Sequence, residues 1–447
     1  MDLLWECQAV PQPSEPAGTG RATAAGAAST PVTATASASS PLTTGGAARQ
    51  HSVRDHNLGL VLRNVVDAPA PLSRADVAAA TGLTRSTVSN LVEVLVDADL
   101  VVEVGPGRRV GGGAGRPGIG LVASPSRVAG LGLELNVDYL AACVLDLTGA
   151  VRHRVVVERD LRGTGPTRSV AALARVARQA VAFAQDQGLT VTGAAVALPG
   201  LVHAPDGPLR LAPNLGWRDV DVLGLLAREP ALAQLRVRGA LAVDNEANLA
   251  ALGELDDARR RAEVVGSRDS FVYVSGEIGV GAGIVLDGHV FRGTHGWGGE
   301  VGHLPVDPDG PPCRCGSRGC LEQYAGLEAV LRAADRTTLE DLVAAAQAED
   351  PRALGALDGA GRALGLVVSS VVNLVDVATV VLGGTYAVLA QWLAPRVQDE
   401  LALRVLAQPW SPVSLRVSSL GGDAAILGAA GSVVRSVVNH PAELLRA

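Results

Sequence analysis

The sequence predicts a two-lobed α/β domain preceded by a winged helix-turn-helix. Three observations lead there. Two rounds of strands alternating with helices run from Val128 onward, a capped helix–turn–helix pattern lies between Leu72 and Val101, and a Gly/Arg-rich tip between two apolar runs follows it. At 447 residues the chain is long enough for two to four domains around sizeable cores. We divide it into 1–50, 51–124, 127–243 completed by a C-terminal helix over 435–447, and 244–434.

Residues 1–50 are almost wholly Ala, Thr, Ser, Pro and Gly, a composition that cannot bury enough apolar surface to offset its ordering entropy, so disorder is expected there. In 51–124, Ser73 is placed to cap a helix running through Ala80, and Gly82 to make the tight turn. Thr84 then caps a second helix from about Arg85 to Ala98. Val77, Ala78, Leu83, Val88 and Leu91 fall where the two helices pack, which leaves Arg85, Ser86, Thr87, Ser89 and Asn90 on the outer face of the second. These are hydrogen-bonding types suited to phosphates and base edges in a major groove.

The runs VVEV and IGLV with the tip between them read as a wing, and Arg108, Arg109 and Arg116 lie in that tip. Arg116, within Gly115-Arg116-Pro117-Gly118, suits insertion into a minor groove. From Arg54 to Arg116 seven Arg face seven Asp and Glu, so the module is neutral overall. Its charge is nonetheless segregated, with Glu93, Asp97, Asp99 and Glu103 behind the arginines. Operator-type double-stranded DNA is the partner this pattern implies.

From Val128, VAGLGLEL, LAACVLDL and VRHRVVVE read as successive strands, SVAALARVARQAVAFAQDQG as an amphipathic helix with a Gly stop, and VTGAAVALPG as another strand. A second round runs from SFVYVSGEIGVGAGIVLDG through GALGLVVSSVVNLVDVATVVLGG. Two such rounds suggest two lobes with a cleft between them.

A net charge of -7 excludes a globally basic nucleic-acid binder and leaves room for a local basic surface. All 38 basic residues are arginine, a bias of codon usage rather than of function. No basic n-region precedes an apolar h-region at the N-terminus, so no signal peptide is read. The most membrane-like stretch, Leu364–Leu382, is interrupted by Ser369, Ser370, Asn373 and Asp376, and an ionisable group at that depth costs about 3 kcal/mol. A core helix followed by a buried strand fits better, and a cytoplasmic protein without a membrane partner is expected.

Three of the five cysteines crowd between positions 313 and 320, which points to a metal site in a reducing compartment. His303, nine residues before Cys313-Arg314-Cys315-Gly316-Ser317-Arg318-Gly319-Cys320, completes a four-coordinate set for tetrahedral zinc. With His303, Cys313, Cys315 and Cys320 all engaged no coordination position stays open, so the zinc is expected to be structural.

Glu300-Val301-Gly302-His303 followed by CRCGSRGCLE resembles the signature of the ROK family, which groups bacterial sugar kinases with sugar-responsive repressors. The resemblance covers about residues 55 to 435, and the N-terminal winged helix is similar to the repressor branch. It implies an actin-like, ribonuclease-H-like sugar-kinase fold and a homodimer or homotetramer. It also implies that His303 holds zinc through one ring nitrogen and faces a sugar or sugar phosphate with the other, while Glu300 and Glu322 accept from sugar hydroxyls. Asp244-Asn245-Glu246 resembles the family's N-D pair, which places Asn245 and Glu246 at the sugar, and Pro199-Gly200, Asn214 and Trp217 resemble loops over the pocket.

Against the kinases of that family, three features differ. Glu246 stands where they carry an aspartate base, one methylene longer, a displacement of about 1 Å. Glu134-Leu135-Asn136-Val137-Asp138 replaces their D-x-G-G-T loop, and Gly276-Glu277-Ile278-Gly279 their G-T-G loop. Carboxylates at both places oppose a triphosphate. The expectation is therefore a sugar-responsive repressor, not an enzyme. Its rivals are an active sugar kinase with an appended DNA module, and a DNA-binding scaffold that answers a protein partner.

Overall fold

Local capping builds the N-terminal module. The computed structural model describes residues 50–106, 119–237, 240–261, 263 and 269–446, so the expected disordered tail (but for its last residue), and Arg108, Arg109 and Arg116 of the wing tip, lie outside the described residues. Helix α1 (Gln50–Val66) buries Leu58, Val61, Leu62 and Val65, one helical face. In α2 (Arg74–Thr81) Ser73 and Asp76 form a reciprocal capping box, and Gly82 ends the helix at φ 72°. Thr84 caps α3 (Arg85–Asp97) by accepting from the Thr87 N–H. Strands β1 (Val101–Pro106) and β2 (Ile119–Ala123) pair antiparallel as the wing. Val77, Val88, Val92, Leu95 and Leu121 close a core common to helices and wing.

The first lobe contains β3 (Val128–Leu135), β4 (Tyr139–Asp146), β5 (Val151–Glu158), α4 (Pro166–Asp186) and β6 (Thr190–Leu198). A small flap sheet, β7 (Leu201–Val202), β8 (Leu209–Ala212) and β9 (Trp217–Val220), precedes α5 (Val222–Leu226), α6 (Pro230–Val237) and β10 (Leu241–Asn245). After α7 (Glu246–Arg260), the second lobe runs through β11 (Phe271–Gly276), β12 (Val280–Leu286), β13 (His289–Val290), α8 (Glu322–Ala325), α9 (Leu327–Ala334), α10 (Leu339–Gln347) and α11 (Pro351–Val375). It continues with β14 (Thr379–Gly384), α12 (Thr385–Val388), α13 (Ala390–Arg404) and β15 (Ser414–Val417).

The two main sheets repeat one topology. Their orders are β5-β4-β3-β6-β10 and β13-β12-β11-β14-β15, each with three antiparallel strands first and two parallel additions on the other side of the central strand. This duplicated sheet is the actin-like, ribonuclease-H-like architecture expected. Among the described residues, α11 is the one helix long and apolar enough to cross a membrane, and 61% of its apolar window is buried inside the lobe.

Helices α7 and α14 (Ala424–Asn439) cross between the lobes. The C-terminal helix placed from residue 435 in fact begins at Ala424, and a short α15 (Pro441–Arg446) follows it. Its first turns, AAILGAAG, are small residues apart from Ile426 and Leu427, because much of this face lies directly on backbone. A methyl at Gly132 of β3 would overlap the Ile426 carbonyl, and one at Gly428 the Leu249 carbonyl of α7. Helix α1 docks on the far end of α14, where Arg63 bonds Asn439 (3.1 Å) and Arg446 of α15 bonds Asp55 (3.0 Å).

Candidate functional site

The cleft between the lobes collects Asn245, Glu246, Glu300, His303 and Glu322, all five residues singled out for ligand binding, together with Asn136, Asn214 and Glu277. Parallel pairing of β10 with β6 carries Asn245 and Glu246 to the end of the first sheet, opposite Leu198. Asn245 caps α7: its Oδ1 accepts from the N–H groups of Ala247 (2.9 Å) and Asn248 (3.2 Å), and its Nδ2 donates to the Gly200 carbonyl (3.1 Å) and to Glu246 Oε2 (2.9 Å). Its carboxamide is therefore committed to holding the helix start and aiming Glu246. Asp244, just before it, is buried and accepts from Arg292 through Nε (3.1 Å) and Nη2 (2.6 Å), which ties the 291–300 loop to β10. Sequence reading missed this pair, since nothing local links positions 48 apart.

On the second lobe Glu300 precedes a single 3₁₀ turn, Val301–His303, and Glu322 opens α8. Burial first, then the Glu322 charge, pushes the Glu300 carboxyl up to about 7. Burial likewise raises Glu322, partly offset by His303, Arg314 and a hydrogen bond from Asn214. Asn214 comes from the flap of the first lobe, and its Oδ1 accepts from Arg314 (3.0 Å), so this bond spans the cleft. Trp217, expected beside Asn214 over the pocket, is instead buried in the core of the first lobe, with its indole N–H donating to the Thr164 carbonyl (3.1 Å).

His303, Cys313, Cys315 and Cys320 bring one ligand atom each within 4.8 Å of one another and could hold a metal ion. His303 Nδ1 lies 3.8 Å from Cys313 Sγ, and the Cys315 and Cys320 sulfurs are 3.7 Å apart. The bend that gathers them comes from Gly316 at φ 97° and Gly319 at φ 65°. With Nδ1 turned toward the thiols, His303 Nε2 lies 4.0 Å from Glu300 Oε2, on the cleft side.

Deeper in the cleft, carboxylates converge from both lobes. Glu134, at the end of β3, is buried; Tyr139 OH (2.6 Å) and Asn136 Nδ2 (3.3 Å) donate to its Oε1, while its Oε2 has no partner. Burial outweighs those two bonds and lifts it to about 7. Glu277, on the β11–β12 turn, is lifted to about 8 by burial and then by the charges of Glu134 and Asp138. Its carboxylate lies against the backbone of Gly384, at the end of β14. Glu246 is pushed well above the ordinary range by burial, with Glu300, Glu134 and Glu277 adding to it.

The ROK family profile matches residues 130–435, and a MarR family profile matches 59–109. The chain belongs to the ROK family. The xylose repressor of Bacillus subtilis (strain 168) is 29% identical over 396 residues, covering 87% of this chain and 97% of that one. A ROK transcriptional regulator described as a homologue of the E. coli Mlc protein superposes with a TM-score of 0.71 at 24% identity, over 88% of this chain and 98% of its own. A ROK glucokinase from Streptomyces griseus, solved with glucose and AMPPNP, superposes with a TM-score of 0.57 at 25% identity over 68% of this chain and 98% of its own.

In this ROK chain the MarR-like module presents Arg85, Ser86 and Asn90 exposed and Thr87 and Ser89 half-buried along α3. Ser86 Oγ (3.0 Å) and Thr87 Oγ1 (2.8 Å) both bond Thr84 Oγ1, so part of the hydroxyl set also builds the cap. The module is locked to the ROK domain by a bridge that no motif announces. Arg435 of α14 donates through Nη1 to Asp67 at the end of α1 (2.6 Å) and through Nη2 to Asp256 of α7 (2.9 Å).

Proposed function

We propose that this ROK protein is a sugar-responsive repressor: its winged helix binds operator DNA as a homodimer or homotetramer, and its cleft binds an uncharged sugar. The observation that carries the reading is the course of α7. It starts in the cleft at Asn245 and Glu246 and ends one turn beyond Asp256, which the Arg435 bridge joins to Asp67 of the DNA module. Fifteen residues of helix span about 22 Å, so a ligand that moves the helix start also moves the bridge. The xylose repressor and Mlc-like regulator among its relatives support the same reading.

The charge of the cleft favours a neutral sugar over a sugar phosphate. Glu246, Glu277, Glu300 and Glu322 line it, and no arginine does among the described residues. A phosphate dianion would meet several carboxyl groups, and the nearby Arg314 is already engaged by Asn214 and Glu328. The same lining offers a triphosphate no arginine, and Glu277 against the Gly384 backbone occupies the turn where phosphates would lie, which supports ligand sensing without phosphoryl transfer. Glu300, Glu322 and His303 Nε2 face the cleft as hydroxyl partners, and Asn245 holds Glu246 toward it.

For the four-ligand centre we propose zinc. With Zn–S bonds of about 2.3 Å and Zn–N of about 2.0–2.1 Å a tetrahedron has sulfur–sulfur edges of about 3.8 Å and nitrogen–sulfur edges of about 3.6 Å, close to the 3.7 Å between Cys315 and Cys320 and the 3.8 Å between His303 and Cys313. The ion would act as a cross-link that fixes His303 at the wall of the cleft. Three thiols at such a centre fit a reducing, cytoplasmic setting.

The test is a calorimetric panel of free sugars and their 6-phosphates on the full chain, repeated on its operator complex. The expected result is binding of a free sugar, none of its phosphate, and a different sugar affinity when DNA is bound. Equal affinities with and without DNA would overturn the repressor mechanism, and phosphate-selective binding would overturn the neutral-sugar reading.

A further inference from the structure

The rim of the cleft carries aromatic side chains that the groups inside it do not explain. Phe, Trp and Tyr make up only 3% of this chain, yet Phe291 and Trp297 both fall in the 291–300 loop, 46% and 37% exposed. Neither belongs to an apolar core among the described residues. His295 stacks on Trp297 with ring centroids 5.2 Å apart and planes 25° apart. The loop that bears them is held firmly. Arg292 is tied to Asp244, the Gly298 N–H donates to the Arg292 carbonyl (2.9 Å), and the Phe291 N–H donates to the Ile284 carbonyl (2.7 Å). Exposed rings on a braced loop add little to folding, and their position assigns them to a ligand.

Gly296, at φ 89°, brings this loop against the flap of the first lobe. A methyl there would lie 3.4 Å from the Val202 carbonyl oxygen and 3.9 Å from the His203 Cα. Gly200 of the flap and Gly299 of the loop both line the cleft, so flap and aromatic loop meet at its mouth. His203, Thr294 and His295 are exposed there as hydrogen-bonding groups. We propose that Trp297 is the platform of a second sugar subsite, so that the ligand of this cleft has two linked rings, a disaccharide or longer glycoside. Inside, Glu246, Glu300, His303 and Glu322 supply hydroxyl partners for one ring. At the mouth, an indole face matches the apolar C–H face of the next ring, and the imidazoles and the threonine hydroxyl match its polar edge. Arg292, the one arginine of the loop, is occupied by Asp244, so the rim also suits a neutral ligand. A two-ring ligand touches both lobes, whereas a single ring in the cleft leaves the rim unused. The inference rests on the sugar reading of the cleft and deepens it.

The experiment is calorimetry of the full chain with glucose and xylose against cellobiose, maltose and xylobiose. It compares wild type, Trp297→Ala, Trp297→Leu, and Trp410→Ala as a control at a tryptophan that is 82% exposed outside the cleft. At least one disaccharide should bind about 10-fold tighter than the monosaccharide of its own ring type. Trp297→Ala should lower that ratio about 10-fold, and Trp297→Leu, which keeps apolar bulk without a ring face, nearly as much. Trp410→Ala should leave the ratio unchanged. Monosaccharides bound as tightly as every disaccharide, or an undiminished ratio in Trp297→Ala, overturn the subsite while the sugar reading stands. Binding of no sugar at all overturns both. If Trp297→Ala fails to fold, Trp297→Leu decides, and a wild-type ratio in that variant overturns the subsite equally.

Discussion

Replacing Arg435 with methionine removes the guanidinium that joins the DNA module to the cleft helix while keeping much of the side chain's length. The Arg435 side chain is 24% exposed, Asp256 10% and Asp67 33%, so the bridge is neither a surface pair nor a fully buried one. Exposed pairs contribute about 0–1 kcal/mol and breaking a buried one costs about 3–5 kcal/mol. Asp256 keeps a second cation, Arg259, at 3.9 Å, which limits the damage on that side. An intermediate loss of about 2 kcal/mol of stability follows. The larger effect should fall on communication. A coupling of about 1–3 kcal/mol makes the sugar affinities of free and operator-bound protein differ by about 5- to 150-fold. In Arg435→Met that ratio should fall toward 1, although sugar still binds the free protein, because every group in the cleft is untouched. Asp67→Asn and Asp256→Asn cut the two halves of the bridge separately, and each should reduce the ratio. Calorimetry of the sugar with free protein and with the operator complex measures it. An undiminished ratio in folded Arg435→Met would refute the route through α7 and α14.

Three further outcomes are expected. One zinc per chain should be found by elemental analysis, and Cys315→Ser should lose it together with thermal stability of the ROK domain; metal-free protein with an unchanged melting temperature would contradict the assignment. Glu300→Gln and Glu322→Gln should each weaken sugar binding by about 1–3 kcal/mol with zinc retained, as read by calorimetry alongside metal analysis. Glu277 is held at about 8 against an ordinary 4.5, so the stability linked to its proton is full below pH 4.5 and is lost as pH rises through 8. Glu277→Gln, which cannot ionise, should therefore melt higher than wild type at about pH 9 and alike at about pH 4; parallel melting curves at both would show that the carboxylate is not held in its protonated form.

What the sequence determined is what neighbours in the chain decide. Ser73 with Asp76, Gly82, and Thr84 set the ends of two helices through bonds spanning three or four residues. The four candidate metal ligands lie within eighteen positions, and a cap, a glycine bend and donor chemistry suffice to read them. The alternation of strands and helices likewise gave the duplicated sheets, and the family motif gave the five cleft residues. Tertiary structure decided what depends on pairs far apart. Asn245 turns out to hold α7 and Glu246, because the Gly200 carbonyl that receives its amide arrives 45 positions away. Trp217 went to a core, not a pocket, and the small-residue turns of α14 became a helix only where the backbones of β3 and α7 lie against them. The carboxylates of Glu134 and Glu277 share a cleft because β3 and the β11–β12 turn face each other across the lobes, and burial there, not residue type, lifts both above their ordinary range. Arg435 reaches partners 368 and 179 positions away. Such a bridge has no signature in sequence, because an arginine and two aspartates become one only when three helices meet.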